Sequence, residues 1–498
     1  MHWADAFFKD NSDETISTGI SPSGPIHIGN MREILTGDIL FKASLRKGKN
    51  SRFIYLCDDA DPLRKVYPFL PESYIQHVGK PLYKIPSPDG NGVYSEYFLR
   101  PFLKTLDILN VKVEVIRSSS LYSSGVMSEA IRIIFENYRK VSEILREISG
   151  RELSAEWAPF NPECESCGRI TTTSVEKLSY PVLTYRCRCG FSGQVDVTKG
   201  GGKLPWRLEW PAKWFALGVT TEPFGKDHGA SGGSYDTGAR IATEIFRINP
   251  PKPLMFERIL LKGVGVMHSS TGVNIAANEF IENAPAETLR FLMSKNQPSR
   301  HINFDPGIGL LNITDEIEKY KRAYFGTDNV SEENLESVLL YSSLSDTIEK
   351  PLGISFRHLV TLVQIYSDNS SILKIAGKSV EDTERLIKLI EVARKWVAKY
   401  APEELLFKLT PVGTSVKLNE MEKNFLQMLK EGLAETEWIP EGIHNCIHES
   451  IKKSGIDQEN GFSVIYRILI NKQKGPRLGY FLFGLGREFV EGRINDCL

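Results

Sequence analysis

The chain has 498 residues, 41% hydrophobic and 25% charged, with 61 Lys and Arg against 62 Asp and Glu and a net charge of −1. That balance is typical of a soluble globular protein of three or four domains, and no apolar run nears the roughly 20 residues a bilayer span requires, which excludes a membrane role. It also excludes recognition of nucleic acid by overall charge, so any RNA contact rests on local patches. The basic run at residues 46–52 is one such patch, or else a solvated helix end. Met1-His2-Trp3-Ala4-Asp5 carries no basic region followed by an apolar one, so no signal peptide is expected and the protein is placed in the cytoplasm. Seven cysteines, four of them clustered, fit a reducing compartment with one metal site better than a disulfide framework.

Residues 14–17 form a short predicted strand. Thr18-Gly19-Ile20-Ser21-Pro22-Ser23-Gly24-Pro25-Ile26-His27-Ile28-Gly29-Asn30 comes next, and then apolar residues Met31, Ile34, Leu35, Ile39, Leu40 and Ala43 at helical spacing. The stretch is therefore a glycine-rich strand-to-helix turn, at the end of a strand where ligands bind in an open parallel sheet. Its small residues admit a ligand to the backbone, and the helix N-terminus offers free N–H groups to phosphate. It contains neither GxGxxG nor GxxxxGK[ST]. The alternative is a plain turn with His27 facing the core. Residues 52–57 are β-rich and end in Asp58-Asp59-Ala60-Asp61, acids that hold a ribose or an ammonium group, or cap the next helix. Residues 62–94, rich in Pro and Gly, read as an insertion. A helix is predicted over 94–109 and a strand at Val111, Val113 and Val115. Strand and helix alternating in this way predict a doubly wound α/β sheet.

A single long helix is predicted over 127–148. Then come Cys164 and Cys167, and after a spacer Cys187 and Cys189, each pair followed by glycine. Two close pairs close a tetrahedral structural zinc site, with no position left for a catalytic water. Trp206, Trp210 and Trp214 fall within nine residues and serve as core or as a cation–π wall for an ammonium. Glu222-Pro223-Phe224-Gly225-Lys226-Asp227-His228 reads as a loop at a strand end, residues 239–246 as a helix and 255–261 as a strand. A helix begins near Ala284 with Pro285 in its first turn. From about Asn334 the β signals stop, and 359–366, 380–400, 418–433 and 458–471 carry helical spacing, with a last helix running to Arg493.

His27-Ile28-Gly29-Asn30 resembles the HIGH signature of the class I aminoacyl-tRNA synthetases, and with its PSGxxHIGN context it is similar to the class I lysyl-tRNA synthetase family of archaeal type. The WPAKW segment, Lys226-Asp227-His228, the Pro-x-x-x-Leu-Arg-Phe-Leu pattern and HINFDPG carry the resemblance along nearly the whole chain. It implies a multidomain α/β protein: a Rossmann-like doubly wound parallel sheet with a zinc-binding insertion and an all-α C-terminal domain. The expected boundaries are 1–125 and 201–262 for the two catalytic halves and 126–200 for the insertion. Residues 263–333 would form the flap and stem-contact region, and 334–498 a helical domain that reads the anticodon or packs a partner.

The resemblance further implies activation of L-lysine by ATP with Mg²⁺ to lysyl-adenylate, then transfer to the 3′ end of tRNA(Lys), with no membrane or DNA partner. It assigns ATP to Pro22, Gly24, His27, Gly29, Asn30, Met267, Ser269 and Ser270. Lysine falls to Gly19, Ser21, Trp206, Asp227 and His228, and zinc to Cys164, Cys167, Cys187 and Cys189. His27 and Asn30 would stabilise phosphate charge. The family's flap signature, KMSKS or KMSSSKG, aligns with residues 266–272, where Val266 and Thr271 stand in place of its two lysines. His268 or Lys262 is expected to supply the missing charge. The alternatives are a synthetase paralogue that binds tRNA but activates weakly, and a nucleotidyltransferase of the same HIGH-bearing superfamily.

Overall fold

A computed structural model describes residues 1–10, 12–150, 152–154, 157–267, 275–377 and 380–498. The chain divides into two compact units. The first comprises residues 1–281, 286–304 and 331–349, and the second residues 282–285, 305–330 and 350–498. Among the described residues, no helix is long and apolar enough to cross a membrane.

The first unit is built on a five-stranded parallel sheet: β1 (Thr15–Ile20), β2 (Arg52–Cys57), β3 (Glu114–Arg117), β4 (Thr221–Gly225) and β5 (Lys252–Phe256), in the order β5-β4-β1-β2-β3. The chain leaves β1 toward β2 and β3, then returns to lay β4 on the other side of β1. The order therefore reverses beside β1, and in open α/β sheets ligands bind outside the strand ends at such a reversal. Helix α1 (Met31–Arg46) makes the first crossover. It is buried on almost every side, because the sheet covers one face and the helix Glu287–Lys295 covers another. Arg290 on that second helix is buried against Asp38 of α1 at 2.6 Å, and its guanidinium also donates to the carbonyls of Leu109 and Tyr341. The Leu-Arg-Phe-Leu pattern is thus a buried ionic dock for α1, with Leu289, Phe291 and Leu292 buried around it.

Several elements differ from expectation. The long helix over 127–148 is two, Ser128–Glu136 and Tyr138–Ser149, broken at Asn137, whose amide side chain donates to the carbonyl of Ile133. The strand over 255–261 is also two. β5 ends at Phe256, and Ile259–Leu261 joins a separate sheet with Gly265–Val266 and Ile302–Phe304. The tryptophan segment is a helix, α2 (Trp206–Leu217), and Pro285 lies before the helix it was expected to open. Residues 62–94 wind through 3₁₀ turns around Leu63, Tyr67, Tyr74, Leu82 and Tyr94.

The second unit is helical, with no strand among its described residues. Helices Phe356–Ile365, Val380–Lys399, Glu420–Glu435 and Gln458–Ile470 fall where the spacing placed them. Ile308–Tyr324 and Pro440–Ser454 were not predicted, and the last helix is two, Leu478–Leu485 and Arg487–Asn495, separated by Gly486.

Candidate active site

Two cavities flank the carboxyl end of β1. The first, of about 370 Å³, is lined by Ser23, His27, Gly29, Asn30, Tyr67, Arg258, Val266 and Met267 among others. Its floor is the HIGN turn. The Asn30 side-chain oxygen accepts the His27 backbone N–H at 3.2 Å, closing the turn before α1. Residues 275–277 pair antiparallel with the turn, Ile28 N–H donating to the Ile275 carbonyl and Ala277 N–H to the Ile26 carbonyl. The segment that begins at Ile275 is therefore fixed directly to the HIGN turn. A Cβ on Gly29 would lie 2.8 Å from the His27 ring, so only glycine leaves the buried imidazole its place beside Met267. Pro22 is buried, Gly24 sits on the Phe69 ring, and the Tyr94 hydroxyl donates to the Ser23 carbonyl at 2.7 Å.

Among the described residues, the cations lining this cavity are Arg32 and Arg258. Arg32 is buried and donates to the carbonyls of Gln297 and Pro298, and burial lowers its pKa to about 10. Arg258 is 40% exposed and ion-paired with Asp227. Val266 lines the cavity without a charge, and Lys262 is exposed and not part of its lining. His268, Ser269 and Ser270, with Thr271, lie outside the described residues.

The second cavity, of about 60 Å³, is lined by Gly19, Glu33, Asp58, Trp206, Glu209, Trp210, Lys213, Glu222, Phe224 and His228. At 10–15 Å³ per water-sized group it holds roughly four to six heavy atoms. Trp206 stacks on Trp210 with ring centroids 5.3 Å apart and meets His228 at the same separation. Glu33 accepts the Gly19 N–H at 2.7 Å. Glu222 accepts the indole N–H groups of Trp210, at 2.8 Å, and Trp214. Burial raises the pKa of Glu33 to about 8 and that of Glu222 to about 7. Behind them Lys213 pairs with Asp58 and with Glu209 at 3.5 Å, and Lys203 pairs with Asp61 and with Glu209 at 2.7 Å. Three carboxylates against two ammonium groups leave this buried layer one negative charge in excess, before Glu33 and Glu222 are counted.

The structure thus brings Gly19, Trp206 and His228 together. Ser21 lies at the edge, its hydroxyl donating to Asp61 at 2.6 Å. Asp227 lines neither cavity and pairs with Arg258 instead. Sequence reasoning missed Glu33, Glu222 and Arg258. Glu33 carried a readable signal, an acid three residues past Asn30 and so one helical turn from the HIGN turn; Glu222 lies inside β4, in a stretch expected to be a loop, and Arg258 lies in the short link after β5.

The four cysteine sulfurs lie within 4.8 Å of one another, with Cys164 to Cys189 and Cys167 to Cys187 both at 3.6 Å. A tetrahedron of thiolates at zinc–sulfur distances of 2.3 Å has edges of roughly 3.8 Å, so the donor set fits zinc. Gly168 and Gly190 have φ of 70° and 94°, the left-handed turns the knuckles need. The second pair sits on a three-stranded antiparallel sheet, Thr173–Lys177, Val182–Cys187 and Ser192–Asp196.

Residues 2–345 match the family model for tRNA synthetases class I (K). The chain is 52% identical to the lysine--tRNA ligase of Picrophilus torridus and 50% identical to that of Thermoplasma acidophilum, in each case over all of this chain and 99% of the relative. It is 43% identical to the lysine--tRNA ligase of Archaeoglobus fulgidus, over the full length of both.

Proposed function

The chain belongs to the tRNA synthetases of class I (K), and from that premise we propose how its cavities carry the reaction of a lysine--tRNA ligase. The protein is an aminoacyl-tRNA synthetase that joins L-lysine to tRNA using ATP. The observation that carries the assignment of sites is the small buried cavity at the ends of β1 and β4. It combines an acidic floor of Glu33, Asp58 and Glu222 with aromatic walls of Trp206 and His228, and its volume matches the length of a lysine tail. The ammonium group lies among the carboxylates, where Coulomb attraction and cation–π contact both favour it. The tail's methylenes pack on Trp206 and His228, while Gly19 and Ser21 face the amino-acid end.

ATP occupies the larger cavity on Pro22, Gly24, His27, Gly29, Asn30 and Met267, and His268, Ser269 and Ser270, which lie outside the described residues, are assigned to its phosphates. His27 and Asn30 donate to the phosphates. The lysine carboxylate then attacks the α-phosphate with no protein nucleophile, so catalysis is positioning plus charge stabilisation. Magnesium accompanies the triphosphate. A third cavity, of about 430 Å³, adjoins the lysine cavity through Trp206 and is lined by Arg64, Trp157 and Arg207 as well. Aromatic faces and guanidinium groups, with no carboxylate among the described lining residues, suit the single-stranded 3′ end of tRNA(Lys).

In the helical unit a cavity of about 730 Å³ presents Lys319, Arg322, Lys472, Arg477 and Tyr480, which supports contact with unstacked anticodon bases. The division of labour is then catalytic for 1–125 and 201–262, connective for 126–200 with zinc on Cys164, Cys167, Cys187 and Cys189, flap and stem contact for 263–333, and anticodon for 334–498. All of this is work of the cytoplasm.

The test is ATP–pyrophosphate exchange with each amino acid in turn, tRNA present. Lysine alone should support exchange, and equal exchange with another amino acid would overturn the pocket's assignment. His27→Ala should slow adenylate formation about 100-fold, the usual loss for one preorganised donor, with lysine affinity nearly unchanged.

A further inference from the structure

Activation leaves a charge problem at the flap. As the lysine carboxylate oxygen bonds to the α-phosphorus, the bond from that phosphorus to the bridging oxygen of the β-phosphate breaks. The bridging oxygen leaves with its electron pair on pyrophosphate. The charge that builds there needs donors, and Val266 and Thr271 provide no cation. Val266 lines the nucleotide cavity, so the first of these positions faces the ligand with an isopropyl group.

Three observations converge on Arg258. It lines the same cavity as His27, Asn30 and Val266. Of the two arginines there it is the one whose head group is accessible, because Arg32 is 1% exposed and donates to backbone carbonyls while the Arg258 side chain is 40% exposed. Its partner, Asp227, is 55% exposed and sits on the 3₁₀ turn Lys226–His228 that ends in the lysine-pocket residue His228. An exposed carboxylate is a weak holder, since surface ion pairs contribute little. A triphosphate, with more charge and two or more oxygens in reach of a planar guanidinium, competes for it well.

We propose that Arg258 is a catalytic residue: it donates to the β- and γ-phosphate oxygens and carries the leaving-group charge that the flap lysines carry elsewhere in the family, and Asp227 holds it between turnovers. No proton moves in this role; the guanidinium acts as a fixed charge with paired donors. The anchor is firm, because Glu257 N–H donates to the Pro298 carbonyl and the Arg258 carbonyl accepts the Ile302 N–H, so the side chain swings from a backbone tied at both ends. The inference rests on the assignment of this cavity to ATP.

Arg258→Ala should lower the exchange kcat about 100- to 1000-fold, with a smaller rise in the KM for ATP. Arg258→Lys should recover part of the rate. The decisive arm is a cycle with Val266→Lys, which returns a cation to the flap. In that background Arg258→Ala should cost less than a tenth of what it costs alone. Thermal melting in each case separates loss of fold from loss of chemistry. An equal loss in both backgrounds, or a loss wholly in KM, would overturn the proposal. Failure of the cavity assignment itself would look different: ATP would then bind His27→Ala and Arg258→Ala as tightly as wild type, and both would exchange normally.

Discussion

Glu33 and Glu222 share a property that only burial gives them. They hold protons near neutrality, with pKa values of about 8 and 7, because desolvation penalises their charge. The groups that face them are Asp58, Glu209 and Lys213 on one side and His228, its pKa lowered by burial, on the other. An ammonium ligand favours the ionised carboxylates, so binding releases protons. Below a carboxyl's pKa that release opposes binding, and above it the opposition is gone. Lysine affinity should therefore rise from pH 6 to about 8.5, by up to about tenfold per unit for each group that must ionise. Titration calorimetry in buffers of different ionisation enthalpy reads the protons directly. Glu33→Gln should flatten the upper part of the profile and weaken lysine by about 2 kcal/mol or more. A flat profile in the wild-type protein would mean that these carboxyls do not meet the ammonium group.

Elements were legible where one residue type sets the geometry. The HIGN turn, α1 and β2 were read within a residue or two, since glycine and asparagine fix the turn and strong apolar runs fix the helix and the strand after it. The cysteine pairs were equally clear because metal chemistry dictates their spacing. The break at Asn137 was not, because the helical apolar spacing runs through it and only the backbone angles there, φ −105° and ψ 20°, leave the helical range. The split of 255–261 into two sheets was hidden for a different reason: both pieces are strands locally, and only the partner strand at Ile302–Phe304 separates them.

The four-cysteine module also shows what local reading omits. Cys164, Cys187, Leu183 and Tyr185 are buried in the same cluster as Leu204, Leu208 and Ala212, which lead into or lie on α2 beside Trp206 and Trp210. Removing zinc should therefore weaken lysine binding as well as unfold the strands around the cysteines. Chelation followed by lysine titration tests this. X-ray absorption should find one zinc per chain with four sulfur neighbours, and unchanged lysine affinity after its removal would show the module to be independent of α2.

At the scale of the molecule, net charge says nothing about where RNA binds, because 61 cations and 62 anions nearly cancel. Their placement says more. The helical unit's cavity gathers Lys319, Arg322, Lys472, Lys474 and Arg477 around Tyr480 and His358, whose rings meet at 5.1 Å. Burial lowers the His358 pKa to about 4, so that ring stays neutral and serves as a stacking surface rather than a cation. Arg322 is paired with Asp328 and Arg357 with Asp315, whereas Lys319 and Arg477 are exposed at the rim. If single-stranded anticodon phosphates pass that rim, each rim cation releases about 0.7 of a counterion on binding. Changing Lys319 and Arg477 together to Ala should reduce the slope of log affinity for tRNA(Lys) against log salt by roughly 1.4. Tyr480→Ala removes a stacking face, worth about 1–3 kcal/mol per base, and should leave that slope alone. Neither change touches the first unit's cavities, so lysine and ATP should bind both variants as they bind the wild type. Filter binding of tRNA(Lys) from 50 to 200 mM salt measures both effects. A slope unmoved by the double change, or moved as far by Tyr480→Ala, would mean that this cavity does not take up the anticodon.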